Sequence, residues 1–195
     1  MSETERRYIK MQDMKTREAG DGKRYLEGYF SVFNSPYDIC AGWVETIAPG
    51  AFARYLSEGG GTKALWNHDS NIVLGSTANN PLTLREDETG LWGSIEINEA
   101  DTEALNAYAR VSRGDVEGCS FGFDIARQEE WWDDDGVYHT VIREVDPLYE
   151  VSPCTFPAYS ATSIEARSME RLEQARAKRR EAWRSEMIKR LKGDN

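Results

Sequence analysis

The chain has 195 residues, 39% of them hydrophobic and 30% charged, and a formal net charge of −10. That length buries a real core without a disulfide or metal staple, and the composition is that of a globular protein with polar ends. No run of about 18 apolar residues occurs, so no membrane span is expected. The N-terminus (MSETERRYIKMQDMK) lacks the apolar core of a signal peptide, so the chain is expected to stay in the cytoplasm where it is made.

Charge is unevenly spread. Residues 166–195 hold ten Lys/Arg against five Asp/Glu, a net +5, which leaves 14 against 29, or −15, for residues 1–165. An acidic body repels phosphate, so direct nucleic-acid binding is not expected. The three cysteines, Cys40, Cys119 and Cys154, are odd in number and irregularly spaced, and read as small buried hydrophobes rather than a disulfide framework or zinc site.

In chain order, residues 1–22 are polar and charged and are expected to begin loosely. Residues 25–33 (YLEGYFSVF) are aromatic and β-favouring and predict a strand, with turn chemistry in NSPYD after it. A short strand at 43–47 and a short helix over 49–56 follow, the helix closed by the glycines at 59–61. Strands are expected at 63–66, 72–75, 82–84 and 91–97, the last two joined by a turn at 87–90. Ala104, Leu105, Tyr108 and Val111 recur at helical spacing, with Asp101 or Thr102 as cap and Gly114 as stop. Residues 119–125, 137–142 and 148–152 read as strands, with WWDDDG at 131–136 as a hairpin tip. From Ala166 onward Met169, Leu172, Ala175, Trp183, Met187 and Leu191 are scattered among charges, the pattern of a solvated helical extension. Several short strands with one or two helices predict a closed or nearly closed β-barrel core.

Only two histidines exist, so a base that titrates near neutral pH is His68 or His139 unless a carboxylate is strongly perturbed. His68 sits where a strand ends in WNHD, a good location for a reactive side chain, although a lone loop histidine is more often only polar surface. Ser120 lies in GCSFGF, where small neighbours let backbone N–H groups approach a substrate oxygen. The alternative is a strand whose glycine relieves crowding under an aromatic. Cys119 is expected to face away from Ser120 on a strand. His68, Asp69 and His139 lack metal-ligand spacing, and GGGTK at 59–63 does not meet the phosphate-loop pattern, so neither a metal nor a cofactor is expected.

Together the pieces are more specific. ETIAPGAF at 45–52, NHD at 67–69, LG at 74–75, GL at 90–91, SFGF at 120–123, EVS at 150–152 and PA at 157–158 occur in that order. This set resembles the prohead maturation serine proteases of tailed phages over residues 23–165, a family similar in turn to the herpesvirus capsid protease, assemblin. The resemblance implies an α+β, mainly β fold: a herpesvirus-protease-like closed β-barrel with surrounding helices, followed by the helical tail 166–195. It implies a serine endopeptidase that cleaves scaffold and major capsid protein, and itself, inside the prohead in the host cytoplasm. Ser120 corresponds to the family nucleophile and His68 to its base, with backbone amides at 118–121 as candidates for an oxyanion hole. For the third member, assemblin-like enzymes use a second histidine on a strand after the serine. Glu150 occupies a comparable place and is preferred, with His139 as rival; Asp69 is too close in sequence to face His68 well. Dimerisation, known in the herpesvirus relatives, is left open, as is a catalytically silent assembly module with the same fold.

Overall fold

A computed structural model of the chain describes residues 5–10, 14–79, 81–116, 118–155 and 161–193. Eleven strands are described: β1 (Glu5–Lys10), β2 (Lys15–Glu18), β3 (Arg24–Val32), β4 (Tyr37–Cys40), β5 (Trp43–Ile47), β6 (Lys63–Trp66), β7 (Asp69–Ser76), β8 (Leu82–Glu86), β9 (Gly90–Glu96), β10 (Gly118–Trp132) and β11 (Tyr138–Cys154). Three α-helices accompany them: α1 (Ala53–Ser57), α2 (Thr102–Arg113) and α3 (Ala161–Gly193). None of the described helices is long and apolar enough to cross a membrane.

The strands form two sheets. One is seven-stranded, ordered β1-β10-β11-β5-β4, with β6 pairing the far part of β11 and β7 pairing β6; the other is four-stranded, ordered β2-β3-β9-β8. Leu26, Phe30, Leu91 and Ile95 from the smaller sheet and Phe121, Phe123, Leu148 and Val151 from the larger share one apolar core. Strand alternation explains much of which residues enter it: Leu26, Gly28 and Phe30 of β3 and Leu91, Gly93 and Ile95 of β9 are buried at every second position.

The expected closed barrel is not formed. Closure requires the outermost strands to pair with each other. Among the described residues the larger sheet ends at β1, β4 and β7 and the smaller at β2 and β8, so both sheets stay open. The physical reason lies in β10 and β11, which run 15 and 17 residues as one long hairpin. Only the first six residues of β10 are buried, and the outer half leaves the core instead of curling around it. Register shifts between Gly122 and Gln128 bend the hairpin at that exit. The strands expected separately at 137–142 and 148–152 are halves of β11, the first pairing in parallel with β5 and the second with β6.

α2 forms as its sequence dictates. The Asp101 carboxylate accepts from the Glu103 and Ala104 amides, and Gly114 closes the helix at φ 83°, a conformation costly for other residues. Ala104, Ala107 and Val111 are buried against the core. The polar opening stretch holds two strands that its composition did not predict. β1 is tied down by Arg7, buried against Glu45, and β2 by a bidentate pair from Arg17 to Glu27. α3 docks through Leu172, which is fully buried against Cys40, Trp43 and Tyr138, while Trp183, Ile188 and Leu191 are exposed.

Candidate active site

His68 is carried by the tight turn between β6 and β7. Trp66 pairs with Asp69, and the two residues between them, Asn67 and His68, have φ of 52° and 63°. Positive φ at both central positions marks a two-residue hairpin turn whose twist matches its strands, and Asn and His tolerate that backbone better than branched residues do. Asn67 also pins the turn to the end of β11: its amide donates to the Pro153 carbonyl (3.1 Å) and its Oδ1 accepts from the Thr155 amide (2.8 Å). Asp69 spends its carboxylate on the Asn71 amide (2.8 Å), and no hydrogen bond joins it to His68 among the described residues.

The turn delivers His68 to Glu150 on β11. Nδ1 lies 2.6 Å from Glu150 Oε1, with the two side chains only 8% and 7% exposed. The other carboxylate oxygen accepts from the Ser152 hydroxyl at 2.6 Å. Arg6 Nε approaches Oε1 at 3.8 Å from β1. Glu150 is therefore held from both oxygens, and His68 from one ring nitrogen.

Ser120 stands on β10 directly opposite Ser152, and Gly122 directly opposite Glu150. Alternation sends Ser120 and Gly122 to the face that carries Glu150 and Ser152, while Cys119, Phe121 and Phe123 enter the core. Ser120 Oγ and His68 Nε2 are both buried and have no hydrogen-bond partner among the described residues. Leaving such an atom unpaired costs roughly 1–3 kcal/mol, and a catalytic role is one reason that such a cost persists. The glycine of SFGF has a specific role here. A Cβ on Gly122 would lie 2.9 Å from Glu150 Oε1 and 3.2 Å from its Cγ, so only glycine leaves that carboxylate its place. It relieves crowding under a carboxylate, not under an aromatic ring.

His139 is far from this cluster. It pairs with Trp131 in register, stacks on that ring at 5.2 Å between centroids, and bonds Asp133 through Nε2 at 2.8 Å. Trp131 is eleven residues along β10 from Ser120, roughly 35 Å of strand at ~3.3 Å per residue. The amides at 118–121 lie between two ladders, with Ser120 facing Tyr8 of β1 on one side and Ser152 of β11 on the other. Cys119 is buried and donates to the Tyr29 carbonyl (3.1 Å), and burial raises its thiol pKa well above the ordinary value. Burial, with the Glu150 charge adding to it, pushes Cys154 up to about 12. Neither thiol is a thiolate near neutral pH. Pro157 and Ala158 lie outside the described residues.

Two residues of the cluster were given no role from the sequence. Ser152 stands two positions after Glu150, which on a strand places both on one face, so the alternation itself carried the signal. Arg6 carried none, because its strand is held by contacts distant in sequence. A groove of about 800 Å³ between the outer half of β10 and α3, lined by Glu45, Trp131, Arg171 and Arg179 among others, includes none of Ser120, His68 and Glu150. Unpaired reactive atoms and a buried His–carboxylate pair mark the site better than concavity does.

The prohead protease of Enterobacteria phage HK97 is 34% identical over 166 residues, spanning 80% of this chain and 67% of that one. The solved bacteriophage T4 capsid assembly protease aligns with a TM-score of 0.41 at 12% identity, over 80% of this chain and 96% of that one. Residues 11–175 match the family described as Caudovirus prohead serine protease. A match over that much of the chain makes this protein a serine protease and a member of the Caudovirus prohead serine protease family.

Proposed function

We propose that this protease cleaves scaffold and major capsid protein, and its own chain, during prohead maturation, with Ser120 as nucleophile, His68 as base and Glu150 as the group that orients the histidine. The observation that carries the assignment is the buried 2.6 Å contact between His68 Nδ1 and Glu150 Oε1, which leaves Nε2 as the free ring nitrogen. A carboxylate at Nδ1 keeps the proton there, so the lone pair sits on Nε2 where a base needs it. Ser152 fixes the second carboxylate oxygen and so the plane of the carboxylate.

The reaction then runs as serine acyl transfer. A rotation of the Ser120 side chain brings Oγ to His68 Nε2, a closure of the kind that free enzymes complete on binding substrate. Nε2 takes the hydroxyl proton as Oγ attacks the peptide carbonyl, and Glu150 stabilises the imidazolium. The imidazolium gives its proton to the departing amine, leaving an acyl-Ser120. Water, deprotonated by the same nitrogen, releases the acid.

Coexpression with capsid and scaffold proteins tests this reading. Processing by the wild type and its loss in both Ser120→Ala and His68→Ala supports it; equal processing by all three contradicts it. Residues 166–195, with their net charge of +5 against an acidic body, act as a segment that directs the enzyme into the prohead. Unchanged packaging after removal of residues 177–195, which spares the docked Leu172, would contradict that role.

A further inference from the structure

The strand that carries Ser120 has two neighbours of different kinds. On one side is β11, which brings Glu150 and Ser152 and pairs along the whole of β10. On the other is β1, an end strand whose residues 5–10 pair antiparallel with residues 123–118, setting Tyr8 opposite Ser120 and Arg6 opposite Gly122. An extended peptide adding to this strand therefore has a single edge to use, and β1 fills it. The family match begins at residue 11, so β1 lies outside it while the edge that β1 covers lies inside.

The way β1 is held resembles a bound peptide. Its backbone supplies the ladder, and one side chain supplies the anchor. Arg7 is 7% exposed and donates through Nε and Nη2 to both oxygens of Glu45, itself 2% exposed, with its guanidinium over the Phe123 ring at 5.6 Å. Glu45 also receives a bond from Thr140 at 3.4 Å, but Arg7 is its charged partner among the described residues. A buried carboxylate left by Arg7 demands another cation. At the outer end Glu5 joins Arg171 of α3 at 2.6 Å, which clips the strand to the helical tail. Arg6 meanwhile places a positive charge 3.8 Å from Glu150 Oε1, the oxygen that holds His68.

We propose that the β10 edge at residues 118–123 is the peptide-binding edge of this protease, that it takes an extended segment whose basic side chain docks on Glu45, and that residues 5–10 occupy it as an internal competitor. The proposal rests on Ser120 being the nucleophile. While β1 is seated, substrate backbone cannot pair beside Ser120. Displacement of β1 by a capsid or scaffold segment, or by its removal, opens the edge. The Glu5–Arg171 pair makes the tail part of the closure, so detaching α3 loosens the strand.

The test is the rate at which a fluorophosphonate labels Ser120, read by peptide mass spectrometry. Four proteins are compared: the full chain, a chain starting at Met11, the same chain with Glu45→Gln to relieve the stranded carboxylate, and a full chain with Glu5→Ala and Arg171→Ala. The last keeps β1 and the Arg7–Glu45 contact, though it loses the Arg7–Glu5 pair at 3.0 Å, and serves if the shortened chains do not fold, with amide exchange of residues 118–123 reporting the edge. Labelling about tenfold faster or more in the opened forms is expected, an increase that follows from a covered site being available only in the fraction of molecules that open. A synthetic peptide of residues 4–11 should slow labelling of the chain starting at Met11, and the same peptide with Arg7→Glu should not. Equal labelling rates in closed and opened proteins, with the edge amides exchanging in the latter, would overturn the proposal, as would equal competition by both peptides. Absence of Ser120 labelling in every form would instead overturn the nucleophile assignment, and the proposal with it.

Discussion

Gly122 and Glu150 face each other across β10 and β11, and a methyl group on the glycine would sit 2.9 Å from the Glu150 carboxylate oxygen that holds His68. The glycine thus shapes the site by leaving the carboxylate its place. Gly122→Ala should push the carboxylate aside and misalign the imidazole. A displacement near 1 Å costs about 100-fold in rate, and kcat should fall by about that amount with KM little changed. Steady-state kinetics on a peptide spanning a capsid cleavage site checks it, with the melting temperature as control for folding.

The Ser152–Glu150–His68 chain predicts a graded series. Glu150→Gln keeps the shape but removes the charge that stabilises the imidazolium, and kcat should drop by about 10²–10⁴. Ser152→Ala removes one hydrogen bond to the carboxylate and should cost about tenfold. Combining Glu150→Gln with His68→Ala should cost little more than His68→Ala alone, because the carboxylate acts through the imidazole. Additive losses would show that Glu150 acts elsewhere.

Sequence order and flanking residues pointed to His68 and Ser120 as candidates, and the E-x-S spacing on β11 placed Glu150 and Ser152 on one face. The helix from Thr102, with its Asp101 cap and Gly114 stop, was equally readable, because each signal is local. Barrel closure was not, since it depends on whether edge strands meet, and the long β10–β11 hairpin leaves the core before they can. β1 escaped notice for a related reason: its burial depends on Arg7 finding Glu45, 38 positions away. Local pattern reports periodicity, whereas edges and ion pairs are decided by the assembled sheet.

Cysteine reagents separate the serine mechanism from a thiol one. Cys119 adjoins Ser120 in sequence but is buried on the opposite face, with its thiol pKa raised by desolvation. Iodoacetamide at neutral pH should leave the folded enzyme active, and Cys119→Ala should keep kcat within about threefold while lowering stability by about 1–2 kcal/mol for the small cavity. Rapid inactivation by the reagent would contradict the assignment.

Acid should weaken the smaller sheet through Asp87. Burial acts to raise its pKa, but hydrogen bonds from the Thr89 amide, the Tyr29 hydroxyl and the Gly90 amide, with the Arg85 charge, outweigh it and hold the carboxyl below its ordinary value. A depressed folded pKa means stability that is present above the unfolded value, about 3.9, and is lost as pH falls through the folded one. Asp87→Asn should therefore destabilise the protein at pH 7 and narrow its difference from wild type as the pH drops below about 4. Urea melts across that range read the convergence; a gap that widens in acid would contradict it.

The most direct measurement is to map the adduct of a fluorophosphonate on the purified enzyme, in wild type and in His68→Ala. Modification confined to Ser120 in the wild type and lost in His68→Ala is the predicted result. Modification of Ser152 instead, or equal labelling of Ser120 without the histidine, would contradict the assignment of nucleophile and base.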